Sequence, residues 1–290
     1  MRIRVLGAAA GGGFPQWNCG CGNCRKVRAG SPDVIPLTQE CVAISADGER
    51  WFLLNASPEI RSQIEACPAL HPRAPRHSPI AGIVLTNGDM DHVLGLLSLR
   101  ESHPLTLYAT DEVRRGFTEG NVLYRTLERF PGQVTWKKVD GDLGDGLSVE
   151  AIPAPGKPPV HLEKLSRSSS LENIGLLIND SNSGKCLAYF SAAGGITPAM
   201  RSAIDGADCV FFDGTFWSSD ELIRLGLGTK RAEDMAHLPV VGSLSAFKTK
   251  RKIYIHINNT NPMLDRTSAE LRQVEAAGWE LAHDGMEFSL

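Results

Sequence analysis

Apolar and polar positions alternate along Arg2–Leu6, the pattern of a strand with one face turned to a core. Gly11-Gly12-Gly13 breaks the pattern, and a Cys-rich loop follows over Trp17–Arg28. Cys41–Ala46 and Trp51–Ala56 are apolar runs on either side of Asp47-Gly48, which predicts a hairpin. Ser57-Pro58-Glu59 predicts a helix to about Cys67, with Ser57 as its cap. Pro68–Pro79 reads as loop. The apolar strand Ile80–Leu85 stops at Thr86-Asn87-Gly88-Asp89-Met90-Asp91-His92, ahead of a predicted helix over Val93–Arg100. Further strands are predicted at Leu105–Ala109, Val134–Val139, Leu147–Ile152, Ile174–Ile178, Lys185–Phe190, Cys209–Phe212 and Lys252–Ile257, with strand character in Trp279–Leu290. Helices are predicted at Glu119–Phe130, Pro198–Ile204, Asp234–Phe247 and Ser268–Ala277, and a long loop at Pro153–Ser170. Strands first, then strand–helix alternation, in a pattern that recurs, point to an α/β fold of α+β type. Two sheets would stack face to face with helices outside.

Composition narrows the class. Lys plus Arg is 30 and Asp plus Glu is 33 in 290 residues, a net charge of −3. This weak acidity leaves no basic footprint for nucleic acid. With 42% apolar and 22% charged residues, the chain can bury a core and is not of the disordered class. No apolar run reaches the roughly 18 residues of a membrane span. Met1–Gly7 lacks the apolar centre of a signal peptide, so a cytoplasmic protein is expected. Seven cysteines, an odd number spread along the chain, argue for a reducing compartment and against a disulfide framework.

Two clusters carry candidate chemistry. Cys19, Cys21 and Cys24 can wrap one tetrahedral zinc ion, with a fourth ligand from elsewhere. Such a site is structural, because it leaves no open position. Cys41, Cys186 and Cys209 lie in apolar runs and read as core. Asp89, Asp91 and His92 follow an apolar strand and offer two carboxylates and an imidazole, a set that suits Fe²⁺, Mn²⁺ or Zn²⁺. The plainer alternative is that Asp91 caps the next helix. Asp213 and His256 tip two more apolar strands, and three ligand-tipped strand ends favour a metal. His71, His77, His103 and His283 read as surface residues, and Arg100 and Glu101 as solvated helix-end charges. His161 lies in the long loop.

The spacing from Thr86 to Asp91-His92, followed by Asp213 and His256, resembles the metallo-β-lactamase superfamily. The stretch Gly13-Phe14-Pro15-Gln16-Trp17-Asn18-Cys19, the turn Thr86–His92, Leu97-Ser98-Leu99-Arg100-Glu101 and His256-Ile257-Asn258-Asn259-Thr260-Asn261-Pro262 narrow it to the coenzyme PQQ synthesis B family. The resemblance spans nearly the whole chain. It implies an αββα sandwich, a single domain over 1–290 with a zinc knuckle at about 17–28. It also implies work on a small peptide-derived intermediate in PQQ synthesis, beside other proteins of that pathway. In the superfamily's hydrolases three histidines hold a first metal; here Asn87, Asp89 and Lys157 stand in their places, so that site is expected to be empty. The second metal's ligands would be Asp91, His92, Asp213 and His256. One metal with open positions tilts the reading toward iron and O2, and the family implies hydroxylation of a tyrosine. A carrier or transport role for PQQ or its precursor, and a phosphodiesterase-like hydrolase, are the alternatives. His237 matches a general acid of the phosphodiesterase branch and, with Asp89, is the expected catalytic residue. Asn259 stands where that branch has the knuckle's fourth ligand, a histidine, which leaves this ligand open between Asn259 and another residue.

Overall fold

The computed structural model describes residues 1–163, 169 and 171–290. Residues 164–168 and 170, the far part of the expected loop Pro153–Ser170, lie outside the described residues. The opening alternation forms β1 (Arg2–Gly7), with Ile3 and Val5 buried. It pairs antiparallel with β2 (Cys41–Ser45), and β2 with β3 (Trp51–Leu54) across the expected turn. There Asp47 Oδ1 accepts from the Glu49 and Arg50 amides, and Gly48 takes a φ of 83°, a region glycine enters without a steric cost. β4 (Ile80–Val84), β5 (Leu105–Ala109) and β6 (Val134–Lys138) extend this sheet in parallel.

The second sheet opens with an antiparallel run of β7 (Gly141–Gly144), β8 (Leu147–Pro153), β9 (Ile174–Asp180) and β10 (Lys185–Phe190). It continues in parallel through β11 (Cys209–Asp213), β12 (Arg251–Ile255) and β13 (Trp279–Leu281). β14 (Glu287–Ser289) returns to pair with β1 in the first sheet. Among the described residues each sheet has seven strands. The expected terminal strand over Trp279–Leu290 is therefore two strands, one in each sheet.

Phe52, Leu54 and Val84 of the first sheet share one core with Leu176, Leu187, Tyr189 and Phe211 of the second. The other face of the first sheet, with Trp51, Leu53, Ile83 and Leu85, packs under Ile60, Leu96 and Phe117. β2 and β3 are thus buried on both faces, which explains their unbroken apolar runs. Each large side chain so buried stabilises by about 1.5–3 kcal/mol. Two sheets face to face with helices outside match the expected sandwich.

Several helices differ from expectation. The Cys loop carries a helix, α1 (Gly22–Arg28). α2 is short (Ile60–Glu65), and Ser57 does not cap it, because its hydroxyl bonds Gln63 Oε1 instead. α3 is one turn (Met90–Val93), and Leu94–Leu99 continues as 3₁₀ rather than α-helix. The helix expected over Glu119–Phe130 is a 3₁₀ stretch at Val122–Leu127; the α-helix, α4 (Asp111–Thr118), lies before it under a Thr110 cap. α5 (Pro198–Gly206) and α7 (Ala269–Ala276) form as expected, capped by Thr197 and Ser268. Between them α6 (Glu221–Arg224) is a single turn. No helix forms over Asp234–Phe247: Ala236 takes a left-handed φ of 62° and Pro239 follows, leaving 3₁₀ turns at Glu233–Met235 and Val240–Gly242. Among the described residues no helix is long and apolar enough to cross a membrane.

Candidate metal centre

Strand direction brings the chemistry to one edge. β3 runs parallel to β4, and β11 to β12, so each pair ends together. β2 runs antiparallel to β3, so its beginning lies at the edge where β3 and β4 end. Asn55 follows β3, the turn 86–92 follows β4, Asp213 ends β11 and His256 follows β12. Glu40 stands just before β2. Gly11 closes in as well: a Cβ there would lie 3.3 Å from Asp91 Oδ2.

Hydrogen bonds assign the histidine tautomers. Thr86 Oγ1 gives its proton to Asn55 Oδ1 at 3.0 Å and therefore accepts from His92 Nδ1 at 3.4 Å. His92 Nε2 is then a lone pair; it is buried, has no hydrogen-bond partner, and lies 3.4 Å from Glu40 Oε2 and 3.9 Å from Asp91 Oδ2. Thr215 Oγ1 gives its proton to Asp213 Oδ1 at 2.6 Å and accepts from His256 Nδ1 at 2.8 Å. His256 Nε2 is thereby aimed at Asp91 Oδ2, 3.0 Å away. Two lone pairs face each other at that distance only with a cation between them, either a proton or a metal ion.

Without a metal, the proton sits on His256. Burial would lower its pKa, but the bond to Asp91 and the charges of Asp91 and Asp213 raise it to about 9. His92 has no such bond, and burial pushes it down to about 4. Against the cost of burial, His92 and His256 hold Asp91 well below the usual carboxylate range. Burial raises Glu40, which has no exposed surface, to about 8. Burial and the charge of Asp91 raise Asp89 to about 6. The donor atoms of Asp91, His92 and His256 all lie within 4.8 Å of one another, and so do those of Asp213, His237 and His256. The orphaned His92 Nε2 and the paired imidazole and carboxylate are what a divalent ion requires, so this donor set fits a metal.

The expected ligands divide. Asp91, His92 and His256 meet directly. Asp213 lies within 4.8 Å of His237 and His256 and is also tied to His256 through Thr215. Its Oδ1 accepts from the Thr215 amide and hydroxyl, and its Oδ2 from the Ala193 amide at 2.8 Å and His237 Nδ1 at 2.7 Å. His237 lies after a 3₁₀ turn rather than at a helix start, and stacks on His256 with ring centroids 5.5 Å apart. Asp91 is not a helix cap; Asp89 holds that position, without a side-chain cap bond. Asn87 bonds Asn173 and the Asp89 amide. Lys157 pairs with Glu163 at 3.4 Å, and its charge also acts on Asp89. Arg100 pairs with Glu101 at the surface. Sequence reasoning missed Glu40, Asn55 and the two threonines. Glu40 left one signal, a charge abutting an entirely apolar strand.

The sulfurs of Cys19, Cys21 and Cys24 converge within 4.8 Å. The Asn259 amide fills the fourth side, its Nδ2 at 3.1 Å from Cys19 Sγ, 3.3 Å from Cys24 Sγ and 3.6 Å from Cys21 Sγ. Three converging sulfurs suit a zinc ion, while Asn259 Nδ2 faces them as a donor, so the fourth ligand stays open. Asn23 Nδ2 ties the knuckle to the carbonyls of Asn259 and Asn261, so the segment after His256 is fastened there.

Residues 50–257 match the model of the beta-lactamase superfamily domain. Coenzyme PQQ synthesis protein B of Methylorubrum extorquens is 44% identical over 301 residues, covering 100% of both chains. The protein of that name from Bradyrhizobium diazoefficiens is 41% identical over 310 residues, again covering 100% of both. The crystal structure of Zn²⁺-bound PqqB from Methylobacterium extorquens superposes with a TM-score of 0.93 at 42% identity, covering 100% of each chain. A diphosphatase of the PhnP family shares the fold, with a TM-score of 0.69 at 21% identity over 100% of this chain and 97% of that one. With full-length identity above 40%, this chain belongs to the coenzyme PQQ synthesis protein B family of the beta-lactamase superfamily.

Proposed function

We propose that this protein serves PQQ biosynthesis as an iron-dependent, O2-using hydroxylase of a tyrosine in a small peptide-derived intermediate. The names of its relatives support the pathway. One observation carries the reaction class: a compact set of two imidazoles and carboxylate oxygen from Asp91, His92 and His256, in a chain that has Asn87, Asp89 and Lys157 where a paired-metal hydrolase keeps further histidines. Asp91, His92 and His256 would hold a ferrous ion, which would supply the O2 chemistry when bound. Thr86 and Thr215 keep the His92 and His256 Nε2 lone pairs turned to the ion. Asp213 fixes His237 through Nδ1, which leaves His237 Nε2 to accept or pass a proton at the phenol. Asp89 and Lys157 stand where opposite charges can orient an amino-acid-like substrate. Cys19, Cys21 and Cys24 would hold a zinc ion, and Asn23 ties that loop to the segment that follows His256.

The test is anaerobic purification with elemental analysis, then iron loading and O2 exposure with a tyrosine-containing dipeptide. Tightly held zinc with an iron- and O2-dependent product heavier by one oxygen atom is the expected result. Product formed without O2 returns the hydrolase, and an unchanged, tightly held ligand the carrier. The substitution His92→Ala should abolish the oxygenated product while keeping the fold and the knuckle zinc; full activity in that variant would sink the site assignment.

A further inference from the structure

We propose that Lys157 receives a carboxylate of the substrate, and that Glu163 holds the ammonium until that carboxylate takes its place. The inference rests on the amino-acid-like substrate of the reading above and deepens it: the substrate carries an ionised carboxyl group, bound by the protein and not by the metal. Lys157 lies on a loop pressed between the segments that build the site. The Ala154 amide donates to the Asn173 carbonyl at 3.1 Å, and the Gly194 amide to the Pro155 carbonyl at 2.7 Å. Asn173 Nδ2 donates to the Ala192 carbonyl at 2.9 Å, and its Oδ1 accepts from Asn87 Nδ2 at 3.2 Å. A Cβ on Gly156 would lie 2.5 Å from Asn173 Cβ, and one on Gly88 would lie 3.1 Å from Pro159 Cγ. A Cβ on Gly194 would lie 3.3 Å from the backbone of Ala236, next to His237. The loop is thus fixed between the turn that holds Asp89, the segment that bonds Asp213, and the neighbour of His237.

Charge then selects the ligand. This edge is acidic, with Asp89, Asp91 and Asp213 close to one another's histidine partners. An anionic group that enters among them is disfavoured unless a cation meets it. His256, His237 and Lys157 are the positive charges that act on Asp89. The imidazoles already have carboxylate partners: His256 Nε2 faces Asp91, and His237 Nδ1 faces Asp213. Lys157 is differently placed. Its Nζ meets Glu163 Oε1 at 3.4 Å, with the two side chains 30% and 45% exposed. The Leu162 amide donates to the Pro159 carbonyl at 2.8 Å, a turn that brings Glu163 back over Lys157. An ion pair this long and this open is weak. An ammonium also has three donors, so one long contact leaves it able to bind a further acceptor. A carboxylate of the chain itself therefore sits where a substrate carboxylate can exchange with it. A lysine in this place supplies positive charge but no coordination position, so it can orient a carboxylate without activating it.

The test is calorimetric titration without O2, on the chain with its knuckle zinc retained and the active site loaded with Co²⁺. The probes are N-acetyl-tyrosine, whose one charge is its carboxylate, and N-acetyl-tyrosinamide, which lacks that charge. The unaltered chain should bind the acid about tenfold more tightly than the amide, the scale of one charge-assisted bond. Lys157→Gln should abolish this preference while still binding the amide, and Lys157→Arg, which keeps the charge, should retain it. Glu163→Gln should tighten the acid roughly two- to fivefold, the scale of one exposed ion pair, and leave the amide unchanged. All three variants should keep the visible absorption band of bound Co²⁺. Equal or undetectable binding of the two probes by the unaltered chain overturns the role of Lys157. So does a preference for the acid that survives Lys157→Gln or is lost in Lys157→Arg, or a Co²⁺ band that moves in Lys157→Gln, which would put the residue at the ion. Acid binding no tighter in Glu163→Gln overturns the exchange. The titration needs no turnover, so its failure leaves the hydroxylase reading standing, and a failure of that reading leaves the carboxylate site standing.

Discussion

The Thr215 hydroxyl has one proton and two lone pairs. It donates to Asp213 and accepts from His256, within hydrogen-bond reach of His237 Nδ1 as well, at 3.1 Å. A single buried atom thus sets the tautomer of one metal-facing imidazole. The substitution Thr215→Val keeps the volume and strands these partners. Each stranded group costs about 1–3 kcal/mol, so the melting temperature should fall. Metal affinity should drop roughly tenfold or more, as it does when an outer partner of a ligating histidine is lost. A Co²⁺ titration equal to that of the unaltered chain would refute this role. At the knuckle, Cys21→Ser should lower both zinc content and melting temperature, because a structural metal contributes folding free energy. Unchanged zinc and stability would mean that the three sulfurs do not hold a metal. Asp91, His92 and His256 could be singled out as candidates because Asp91 and His92 lie in the turn after one apolar strand and His256 follows another. The neighbours Glu40 and Thr215 could not, since their partners are reached only across the fold.

At the scale of elements, the metal turn is held from behind. The Ala56 amide donates to the His92 carbonyl at 2.7 Å, and the Gly95 amide donates to the Ala56 carbonyl at 3.0 Å. A Cβ on Gly95 would come within 2.1 Å of the Ser57 carbonyl oxygen and 2.8 Å of that of Ala56, both backbone atoms that cannot yield cheaply. The substitution Gly95→Ala should therefore cost about 1–3 kcal/mol or more and push the His92 turn off its register. Thermal melting together with metal titration checks this; loss of stability without weaker metal binding would uncouple the two. The apolar stretch after His92 runs as 3₁₀ over Leu94–Leu99, where the sequence predicts a regular helix. Similarly, the helix expected over Asp234–Phe247 fails at Ala236 and Pro239. The irregular path that replaces it carries the ring of His237 to Asp213 and His256.

Over the whole molecule, the buried charges make stability depend on pH. Glu40 in the fold titrates at about 8, above its unfolded value, so the folded state binds more protons and stability falls as pH rises toward 8. His256, raised to about 9, adds stability that is complete below its unfolded value near 6.5 and is lost as pH climbs through 9. Burial raises Glu221 to about 7, which acts in the same direction. His92, lowered to about 4, acts in the opposite direction, but its contribution changes only below its unfolded value. The metal-free protein should therefore lose melting temperature between about pH 6.5 and 9. Metal affinity should rise over the same range, because His256 must shed its proton to bind an ion. Melting curves of the metal-free and metal-loaded forms across this window check both signs. A metal-free melting temperature that climbs over the window would contradict the burial of these groups as protonated species.

Local chemistry along the chain determined the strands, the hairpin at Asp47-Gly48, the close spacing of three cysteines and the candidate donors beyond β4, β11 and β12. These are features of periodicity, turn chemistry and short spacing, which neighbouring residues decide among themselves. Only the tertiary structure decided which acceptor atoms are left without a proton and which carboxylate faces them. Asp213 stands at the end of its strand, and Ala193 and His237, brought in from other segments, bond its Oδ2 while neighbouring Thr215 bonds its Oδ1. Glu40 looks like an ordinary charge beside an apolar strand, yet the antiparallel course of β2 buries it against His92. Strand direction and the sharing of a limited number of protons are properties of the assembled sandwich, and they carry the argument for the metal centre.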